Sequence, residues 1–597
     1  MPLSRNDSVV VMHDEIGLSR GIWGSRFAYL LSIINGAVGL GKIWRFPYLV
    51  FKNGGGAFLI PYITVMLIVG LPLTILELSL GKIFKQGIVG SLKSVSKRFI
   101  GIGVFHVFTT VLIMSFYTVI IGWMFWYAFA GLVFDIPFSK NPSEYFNHLF
   151  NIPKKIDPHN ISIQLETLGF LILVWILIFF VSYKGIWSLQ WAMLIWTPIW
   201  IALFILFAVQ GFLSEGWKKG ISFYFIPQFE NLVHPNLWID AFGHVFFSLG
   251  LAGGTLPSLS SYTKPGQNIV HDAFILVIFN MLIEIFCGMI IFCYLGNISF
   301  HYDIKISDLP IMGSELLFIV LPKVAQFTLV PKLFVVSFFL MTIFMGLTTA
   351  IALNQGFYTT ILDKYPRFPK KLLAILICSW GLLTSLVYNT NIGFNIIDVV
   401  DYYSGLMLLI GGISMCISLT LLKVQGKYIT RNDNQAIVFE YLYQINLANV
   451  KIKRKKTVSF VELIRHYINA TNPSKLPFIW TIVVSYIAPF LLIFVLAVYF
   501  FFSFGYKSYP QWFILCCGYI PFFCGVLLSL TISYRDKIKN IFIPKKKEYI
   551  ELEYANMEEE DEESKPDYLK EQKSEKNEVK KDTPPSYNEG GKEEIKN

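Results

Sequence analysis

The sequence predicts an all-α polytopic membrane protein, and three observations favour this fold class. First, 54% of the 597 residues are hydrophobic and only 15% are charged, whereas soluble domains carry about 25% charged residues. Second, the apolar residues form runs of about 20, the length that a helix needs to cross a bilayer. Third, the charges lie mainly between these runs and in the tail. Such a chain is neither an ordinary soluble enzyme nor, despite a net charge of +10, a nucleic-acid-binding protein.

About twelve transmembrane helices are expected, because twelve apolar runs are long enough to cross the membrane. They lie at residues 27–50, 57–80, 102–131, 167–183, 188–213, 237–261, 269–296, 331–362, 371–388, 393–422, 477–503 and 511–534. The loops after the second, eighth and tenth runs carry clusters of lysine and arginine. Because basic loops stay in the cytoplasm, an even number of crossings places both termini there. The polar first 25 residues lack the pattern of a signal peptide.

The external loops carry two sequons for N-glycosylation, at Asn160 and Asn297. Glycosylation marks exposed loops on the external side, so we expect a glycoprotein, although such short motifs also arise by chance. The seven cysteines all fall within apolar runs, where thiols pack as small hydrophobes. No disulfide framework is therefore expected.

Two of the apolar runs are interrupted by glycines. The first run contains three glycines within Gly36–Gly41, and the sixth contains three within Gly250–Gly254. A glycine in a membrane helix is often only a close-packing contact. However, these runs are the first helices of two five-helix halves, and interrupted helices at corresponding positions indicate the midplane site of a secondary transporter. Unwound backbone there leaves amide and carbonyl groups free to bind a ligand.

The motifs around these glycines resemble the neurotransmitter:sodium symporter family. The resemblance rests on WGSR at 23–26, GAVGLGKIWRFPY at 36–48 and NGGGAFLIPY at 53–62, and continues through Gly70-Leu71-Pro72, Glu77 and Gly81. It covers about residues 20–420. The resemblance implies a five-plus-five inverted repeat with broken helices 1 and 6. It also implies import of an amino acid or amine, driven by sodium through alternating access, across the plasma membrane.

This resemblance divides the chain into five parts. They are a cytoplasmic N-terminus at 1–25, a transporter core of helices 1–10 at 26–422, a cytoplasmic loop at 423–476, helices 11–12 at 477–534 and a cytoplasmic tail at 535–597. The tail is rich in lysine and glutamate, a composition typical of disorder. Within it, Pro584, Pro585, Ser586 and Tyr587 match the PPxY ligands of WW domains, a match that chance also produces in such tails.

The resemblance also implies which residues bind the substrate. They are Ala37, Gly39, Leu40, Gly41, Tyr117, Phe247, Ser248, Gly250, Gly253 and Thr349. Amine-selective members carry an aspartate at the position of Gly39, whereas members that use amino acids carry glycine, because their substrate brings its own carboxylate. We therefore expect an amino acid-like substrate. The small residues of the sixth run predict a roomy pocket.

One sodium site of the family has all of its ligands here. The resemblance implies the carbonyl oxygens of Asn35, Val38 and Met345 and the hydroxyl groups of Thr348 and Thr349. Oxygen ligands suit a hard cation. The alternative is that the two threonines bond only the carbonyls of their own helix.

The second sodium site and the chloride site are altered. Ser248, Asn280 and the carbonyl of Ala37 are in place, but Lys42 stands where the family has an asparagine ligand and Glu284 where chloride-coupled members have a serine. Buried charges in a membrane are costly unless they pair. We therefore expect a Lys42–Glu284 pair, chloride-independent transport, and an ammonium that replaces one sodium ion and faces the substrate carboxylate. Alternatively, Lys42 extends to a membrane interface.

Two gates complete the assignment by resemblance. Arg45 and Asp401 match the external ion pair, and Arg20 and Asp363 match the cytoplasmic pair, near Tyr262 and with Trp23 as an inner plug. His244 replaces a glutamine next to the external gate. It is either a titratable group that affects gating or a polar isostere.

The leading hypothesis is a secondary transporter that imports a small amino acid-like solute with sodium, without chloride or an organic cofactor. A second hypothesis is proton coupling through Lys42, Glu284 or His244. A third is a non-transporting sensor or partner subunit that signals through its tail and the 423–476 loop. An enzyme is not expected, since the sequence has no nucleophile–base arrangement and no phosphate-binding loop.

Overall fold

The computed structural model describes residues 21–134, 141–151, 153, 156–264, 266–309, 316–328, 330–424, 458–503 and 509–534. Almost all secondary structure in these ranges is helical, and two short strands, Lys423–Val424 and Val458–Ser459, pair antiparallel. The predicted gate residue Arg20, the basic run at 451–456 and the PPxY motif lie outside the described residues.

Ten helices in the described part of the chain are long and apolar enough to cross a membrane. They are Gly56–Phe84, Lys97–Val133, Leu165–Ser182, Ile186–Leu213, Ile269–Tyr302, Pro331–Lys364, Lys370–Tyr388, Gly393–Leu421, Phe478–Tyr499 and Gln511–Ser533. A bent pair, Arg26–Ala37 and Leu40–Lys52, turns by 58° at its break. The prediction of an all-α polytopic membrane protein is confirmed, whereas twelve crossings and the inverted repeat stay predictions.

Shorter helices connect these spans. They are Ile88–Val95, Pro142–Phe150, Trp217–Phe225, Pro235–Leu249, Thr255–Ser260, Leu316–Phe327 and Phe460–Thr471. Several helix starts follow from local sequence. The side chains of Ser25 and Asn268 accept hydrogen bonds from amides in the first turn of their helices, and Pro235 and Pro331 occupy first-turn positions, where no amide hydrogen is needed.

The first interrupted run is two helices joined by unwound backbone. The first helix, Arg26–Ala37, ends at Val38, and Gly39 is fully extended at φ −119° and ψ −171°. A 3₁₀ turn, Leu40–Lys42, then leads into Arg45–Lys52. In this stretch the Gly39 amide bonds the Ala37 carbonyl at 3.1 Å and the Leu40 amide bonds the Tyr117 hydroxyl, so the regular helical pattern is interrupted after Val38.

The sixth run is interrupted in a different way, by left-handed backbone. The helix Pro235–Leu249 ends at Gly250 with φ +65°, and Gly254, with φ +78°, precedes Thr255–Ser260. Ala252 between them also has a positive φ of +56°, a conformation that costs a non-glycine residue roughly 1–2 kcal/mol. The Ala252 amide donates a 2.7 Å hydrogen bond to Glu77 Oε1, which helps to offset that cost.

The helices Lys97–Val133 and Pro331–Lys364 are the most buried spans and pack against each other. The helix Gln511–Ser533 is the most exposed, and its apolar surface suits contact with lipid. The two interrupted runs pack against the buried pair. Both breaks therefore lie within the protein rather than at the lipid surface.

The predicted cytoplasmic loop at 423–476 is folded over its last part. The helix Phe460–Thr471 buries one face against the spans, and the Phe460 ring stacks on Phe84 at 6.3 Å. Lys82 Nζ donates a 3.1 Å hydrogen bond to Asn472 Oδ1, which follows this helix. The second part of the loop is therefore a packed element.

The expectation of glycosylation at Asn297 is wrong. This residue lies inside the long helix Ile269–Tyr302, is only 2% exposed, and donates a 2.9 Å hydrogen bond to the carbonyl of Glu215. A glycan requires an accessible surface position. Asn160, by contrast, is exposed, and its glycosylation stays a prediction.

Candidate functional site

A cavity lies between the two helix breaks. Nine of the ten predicted substrate residues line it, whereas Leu40 does not. Instead, the Leu40 amide donates a 3.0 Å hydrogen bond to the hydroxyl of Tyr117, which joins the unwound first run to the helix Lys97–Val133. Four further side chains that sequence reasoning missed also line the cavity: Thr110, Ile113, Leu353 and Leu408. Helical spacing could have found two of them, since Ile113 lies one turn before Tyr117 and Leu353 one turn after Thr349.

The space at Gly39 is closed to a side chain. A Cβ atom built there would lie 2.7 Å from the Tyr117 hydroxyl and 3.0 Å from Thr349 Oγ1. Tyr117 and Thr349 would have to move to accept even an alanine. An acidic side chain therefore has no room at this position in the present packing.

The predicted sodium ligands lie around Thr349. Its Oγ1 lies 2.7 Å from the carbonyl oxygen of Asn35, 3.1 Å from that of Val38 and 3.3 Å from that of Met345. Thr348 Oγ1 lies 2.9 Å from the Met345 oxygen. Two of these carbonyls belong to the unwound first run, so Thr349 does more than bond its own helix. The arrangement gathers neutral oxygens, the ligands that a hard cation prefers.

The charged pair expected from the sequence is formed. Lys42 Nζ lies 3.2 Å from Glu284 Oε1, and the two side chains are 2% and 0% exposed. His244 Nε2 lies 2.5 Å from the same oxygen. Tyr62 and Ser248 donate to Oε2 at 2.5 and 3.0 Å. We call these five residues the charged cluster.

Ser248 connects the charged cluster to Asn280. Its Oγ accepts hydrogen bonds from Lys42 Nζ and, at 2.9 Å, from Asn280 Nδ2. The residues of the altered second ion site are thus brought together through one hydroxyl group. The lysine extends inward to this hydroxyl and not to a membrane interface.

His244 belongs to the charged cluster. Sequence reasoning placed it next to the external gate. In the structure its Nε2 bonds Glu284, and its ring packs on Phe46 and Tyr62 at 5.4 and 5.9 Å. Its Nδ1 has no hydrogen-bond partner among the described residues. Tyr62 was quoted only as part of a motif, and no sequence signal identified its bond to Glu284.

The external gate residues meet above the cavity lining. Arg45 Nη1 lies 2.7 and 2.6 Å from the two carboxylate oxygens of Asp401. The guanidinium also sits 4.5 Å from the ring centroid of Phe247, a cation–π contact. One guanidinium nitrogen thus serves both oxygens of the carboxylate.

The cytoplasmic gate is described only in part, since Arg20 lies outside the described residues. Asp363 Oδ2 accepts a 2.7 Å hydrogen bond from the Gly87 amide. Trp23 is buried, and its indole Nε1 and its backbone amide donate to the carbonyls of Leu259 and Tyr262 at 2.9 and 3.1 Å. Trp23 thereby ties the start of the first run to the second half of the sixth.

Two interrupted helices around a central cavity define a multi-pass membrane protein of the secondary-transporter class. The profile of the sodium:neurotransmitter symporter family matches residues 20–160 and 139–442. The chain belongs to this family, whose members are transporters and not enzymes.

Individual relatives agree with this assignment. The sodium- and chloride-dependent taurine transporter of Rattus norvegicus is 30% identical over 431 residues, which cover 65% of this chain and 69% of the relative. An uncharacterized sodium-dependent transporter of Methanocaldococcus jannaschii is 32% identical over 406 residues, 66% of this chain and 80% of the relative. The sodium-dependent serotonin transporter of Drosophila melanogaster is 30% identical over 434 residues, 67% of this chain and 69% of the relative.

Proposed function

We propose that this protein imports a small amino acid-like solute across the plasma membrane by sodium symport, with both termini in the cytoplasm. The observation that carries the proposal is the group of oxygens around Thr349, drawn from the unwound first run and from the helix Pro331–Lys364. A sodium ion held between these two elements would join the first helix break to a central helix. The names of the relatives, which specify sodium and small amine-bearing or amino acid-like solutes, support the same class.

We propose one sodium ion per cycle. Lys42 occupies the second ion site, and its ammonium would repel a sodium ion held by the same ligands. In proteoliposomes with an inward sodium gradient, uptake plotted against sodium concentration should therefore give a Hill coefficient near one. A coefficient near two would mean that a second ion binds despite the lysine.

We also propose that transport does not need chloride. Glu284 supplies a fixed negative charge where chloride-coupled members would bind the anion, and four donors already surround its carboxylate. The taurine relative is chloride-dependent by name, whereas the archaeal relative is described only as sodium-dependent. Replacing chloride with gluconate should leave uptake nearly unchanged, and a several-fold loss would contradict this part of the proposal.

Uptake of a panel of amino acids and amines by the purified protein tests the proposal as a whole. Sodium, chloride and pH are varied separately in proteoliposomes. Sodium-dependent accumulation of one or more amino acids is the expected result. Binding without accumulation would instead favour a sensor or partner subunit.

Proton coupling is the second candidate function. It is favoured by one observation, that Lys42, Glu284 and His244 form one hydrogen-bonded group on the cavity wall. A substrate-induced pH change inside sodium-free vesicles would support it. No pH change, together with sodium-dependent uptake, would leave sodium symport as the function.

For the tail, we propose that Pro584, Pro585, Ser586 and Tyr587 bind a WW domain. Such domains recognise extended proline-rich segments. A peptide containing these residues should bind an isolated WW domain, and a Tyr587→Ala peptide should not. Equal binding of both peptides would assign the match to chance.

A further inference from the structure

The cavity lining also indicates the class of substrate, an inference that rests on the proposed transport function. We propose that the substrate is an apolar amino acid whose carboxylate binds the ammonium of Lys42, and that amines without a carboxylate are not substrates. The structure contributes three observations to this proposal: a donor left over on Lys42, a saturated Glu284, and a remaining lining of neutral and apolar groups.

Lys42 keeps a hydrogen-bond donor for a ligand. An ammonium has three N–H donors, and two of those on Lys42 go to Ser248 Oγ and Glu284 Oε1. The nearest further acceptor is the Ser248 carbonyl at 3.5 Å, which is long for a hydrogen bond. Lys42 is 1% exposed and lines the cavity, so a carboxylate there would meet a charged donor in a site with little water.

Glu284 has no hydrogen-bond acceptor position left for a ligand. A carboxylate offers about four lone-pair positions, and Glu284 accepts from Lys42, His244, Tyr62 and Ser248. It therefore serves as the fixed counter-ion of Lys42 and not as a receptor for the amino group of a substrate. With neutral His244, the charged cluster has no net charge until a substrate arrives.

The remaining lining offers no other anion to a bare amine. Glu284 is the one acidic side chain among the described residues that line the cavity. Gly39 leaves no room for an acidic replacement, because its Cβ would meet Tyr117 at 2.7 Å. The amino group of a substrate would thus meet only neutral acceptors, such as backbone carbonyls and hydroxyls. A lone charged amine would be desolvated without a counter-charge.

The rest of the substrate meets apolar side chains. Ile113, Leu353 and Leu408 line the cavity together with Gly250 and Gly253, which contribute no side chain. Apart from Lys42, Glu284 and His244, no acidic or basic side chain of the described residues lines the cavity. An apolar side chain fits this lining, whereas a second carboxylate or ammonium would be buried without a partner.

Matched ligands that differ in one group test the proposal. The purified full-length protein in detergent with sodium is titrated with leucine, leucinamide, isoamylamine, glycine and glutamate, and the ligand-induced rise in Tm reports binding. Leucine should bind at least about 30-fold more tightly than leucinamide or isoamylamine, since truncating a buried charge pair has an effect of this size. Leucine should also bind more tightly than glycine and glutamate.

Two variants separate the lysine from a general effect on folding. Lys42→Met combined with Glu284→Gln removes both charges and leaves no buried charge unpaired, and it should abolish the preference for leucine over leucinamide. Lys52→Met is the matched control, because Lys52 pairs with Asp240 on the surface, and it should keep the preference. If the double variant folds and still prefers leucine, Lys42 is not the carboxylate receptor.

The outcomes also separate this proposal from the proposed function. If leucinamide or isoamylamine binds as tightly as leucine, the substrate class is wrong even where uptake is sodium-coupled. If leucine binds with the expected preference but no uptake occurs, the substrate class stands and symport fails.

Discussion

At the residue scale, the charged cluster is the feature that most distinguishes this chain from the family pattern. By the resemblance, a lysine and a glutamate stand where the family has an asparagine and a serine, and the two side chains lie 3.2 Å apart in a buried position. Replacing only one of them leaves an uncompensated buried charge, which costs about 3–5 kcal/mol, whereas replacing the pair can be nearly neutral.

The first prediction follows from that asymmetry. Lys42→Asn alone should lower Tm and impair transport, whereas Lys42→Asn combined with Glu284→Ser should recover stability, because no buried charge is then unpaired. The double variant should also gain dependence on chloride and a Hill coefficient for sodium above one, since it restores the family's ligands. Tm in detergent and uptake in proteoliposomes are the measurements. Normal transport by Lys42→Ala with unchanged ion dependence would make the lysine only a tolerated substitution.

The second prediction concerns Thr349. Thr349→Val keeps the shape of the side chain but removes the oxygen that lies among three carbonyls. Sodium-dependent substrate binding should therefore be lost. Thr349→Ser keeps the hydroxyl and is the matched control, which should bind sodium with little change. Equal sodium dependence in the two variants would remove Thr349 from the ion site.

The sequence predicted two residues of the charged cluster as a pair and did not assign two others to it, for physical reasons. The Lys42–Glu284 pair was predictable, because the resemblance places the two positions close together and buried charges in a membrane are costly unless they pair. Tyr62 and His244 were not assigned to it, although a carboxylate with one lysine still has unfilled lone pairs. The unfilled lone pairs of Glu284 predicted further hydrogen-bond donors. Which residues supply them depends on how distant helices pack.

At the scale of secondary-structure elements, the glycines predicted both breaks but not how the second is stabilised. The left-handed Ala252 lies in the sixth run, and the acceptor for its amide, Glu77, lies 175 residues earlier in the chain. Glycine tolerates this backbone without help, whereas alanine does not. The partner could not be found from local sequence, because it comes from another span.

The third prediction concerns the hydrogen bond from the Ala252 amide to Glu77. Glu77→Leu should destabilise the protein by about 1–3 kcal/mol, since the buried Ala252 amide would lose its acceptor. Glu77→Gln keeps an oxygen at the same position and should cost less. Tm in detergent compares the two variants with the parent protein. If Glu77→Gln is as damaging as Glu77→Leu, the negative charge matters more than the hydrogen bond.

The helix Phe460–Thr471 was missed for another reason. The search for spans required about 20 apolar residues, whereas this helix has 12 and buries only one face. Its buried residues at 460, 461, 463, 464 and 468 follow helical spacing. A search for amphipathic periodicity in the cytoplasmic loops would have found it.

At the scale of the whole molecule, hydropathy located every described span to within a few residues, because the bilayer sets a minimum helix length. The bilayer does not set a maximum helix length. The helix Ile269–Tyr302 has 34 residues and is about 51 Å long at 1.5 Å per residue, well beyond the hydrocarbon core. Its extension carries Asn297 into a packed environment, which is why the sequon there was misassigned to an external loop.

At the scale of the whole molecule, the proposed external gate is the contact expected to control access to the cavity. The Arg45–Asp401 pair and the Phe247 ring under the guanidinium lie on three different elements. As the proposed gate, this contact joins parts of the chain that alternating access would move apart. The side chains are 18% and 32% exposed, so the pair is accessible enough to open and close.

The fourth prediction tests this gate. Asp401→Asn removes the charge but keeps the size of the side chain, and it should speed the modification of a cysteine at cavity residue 408 by an external thiol reagent several-fold. The exposed Cys516 and Cys524 are first replaced by serine. Asp240→Asn is the matched control, because Asp240 pairs with Lys52 outside the cavity, and it should leave the rate unchanged.

Substrate and sodium together should slow the reaction in the parent protein more than in Asp401→Asn, since the intact ion pair holds the closed, loaded state. Equal rates in Asp401→Asn and Asp240→Asn would show that the Arg45–Asp401 contact does not close the cavity.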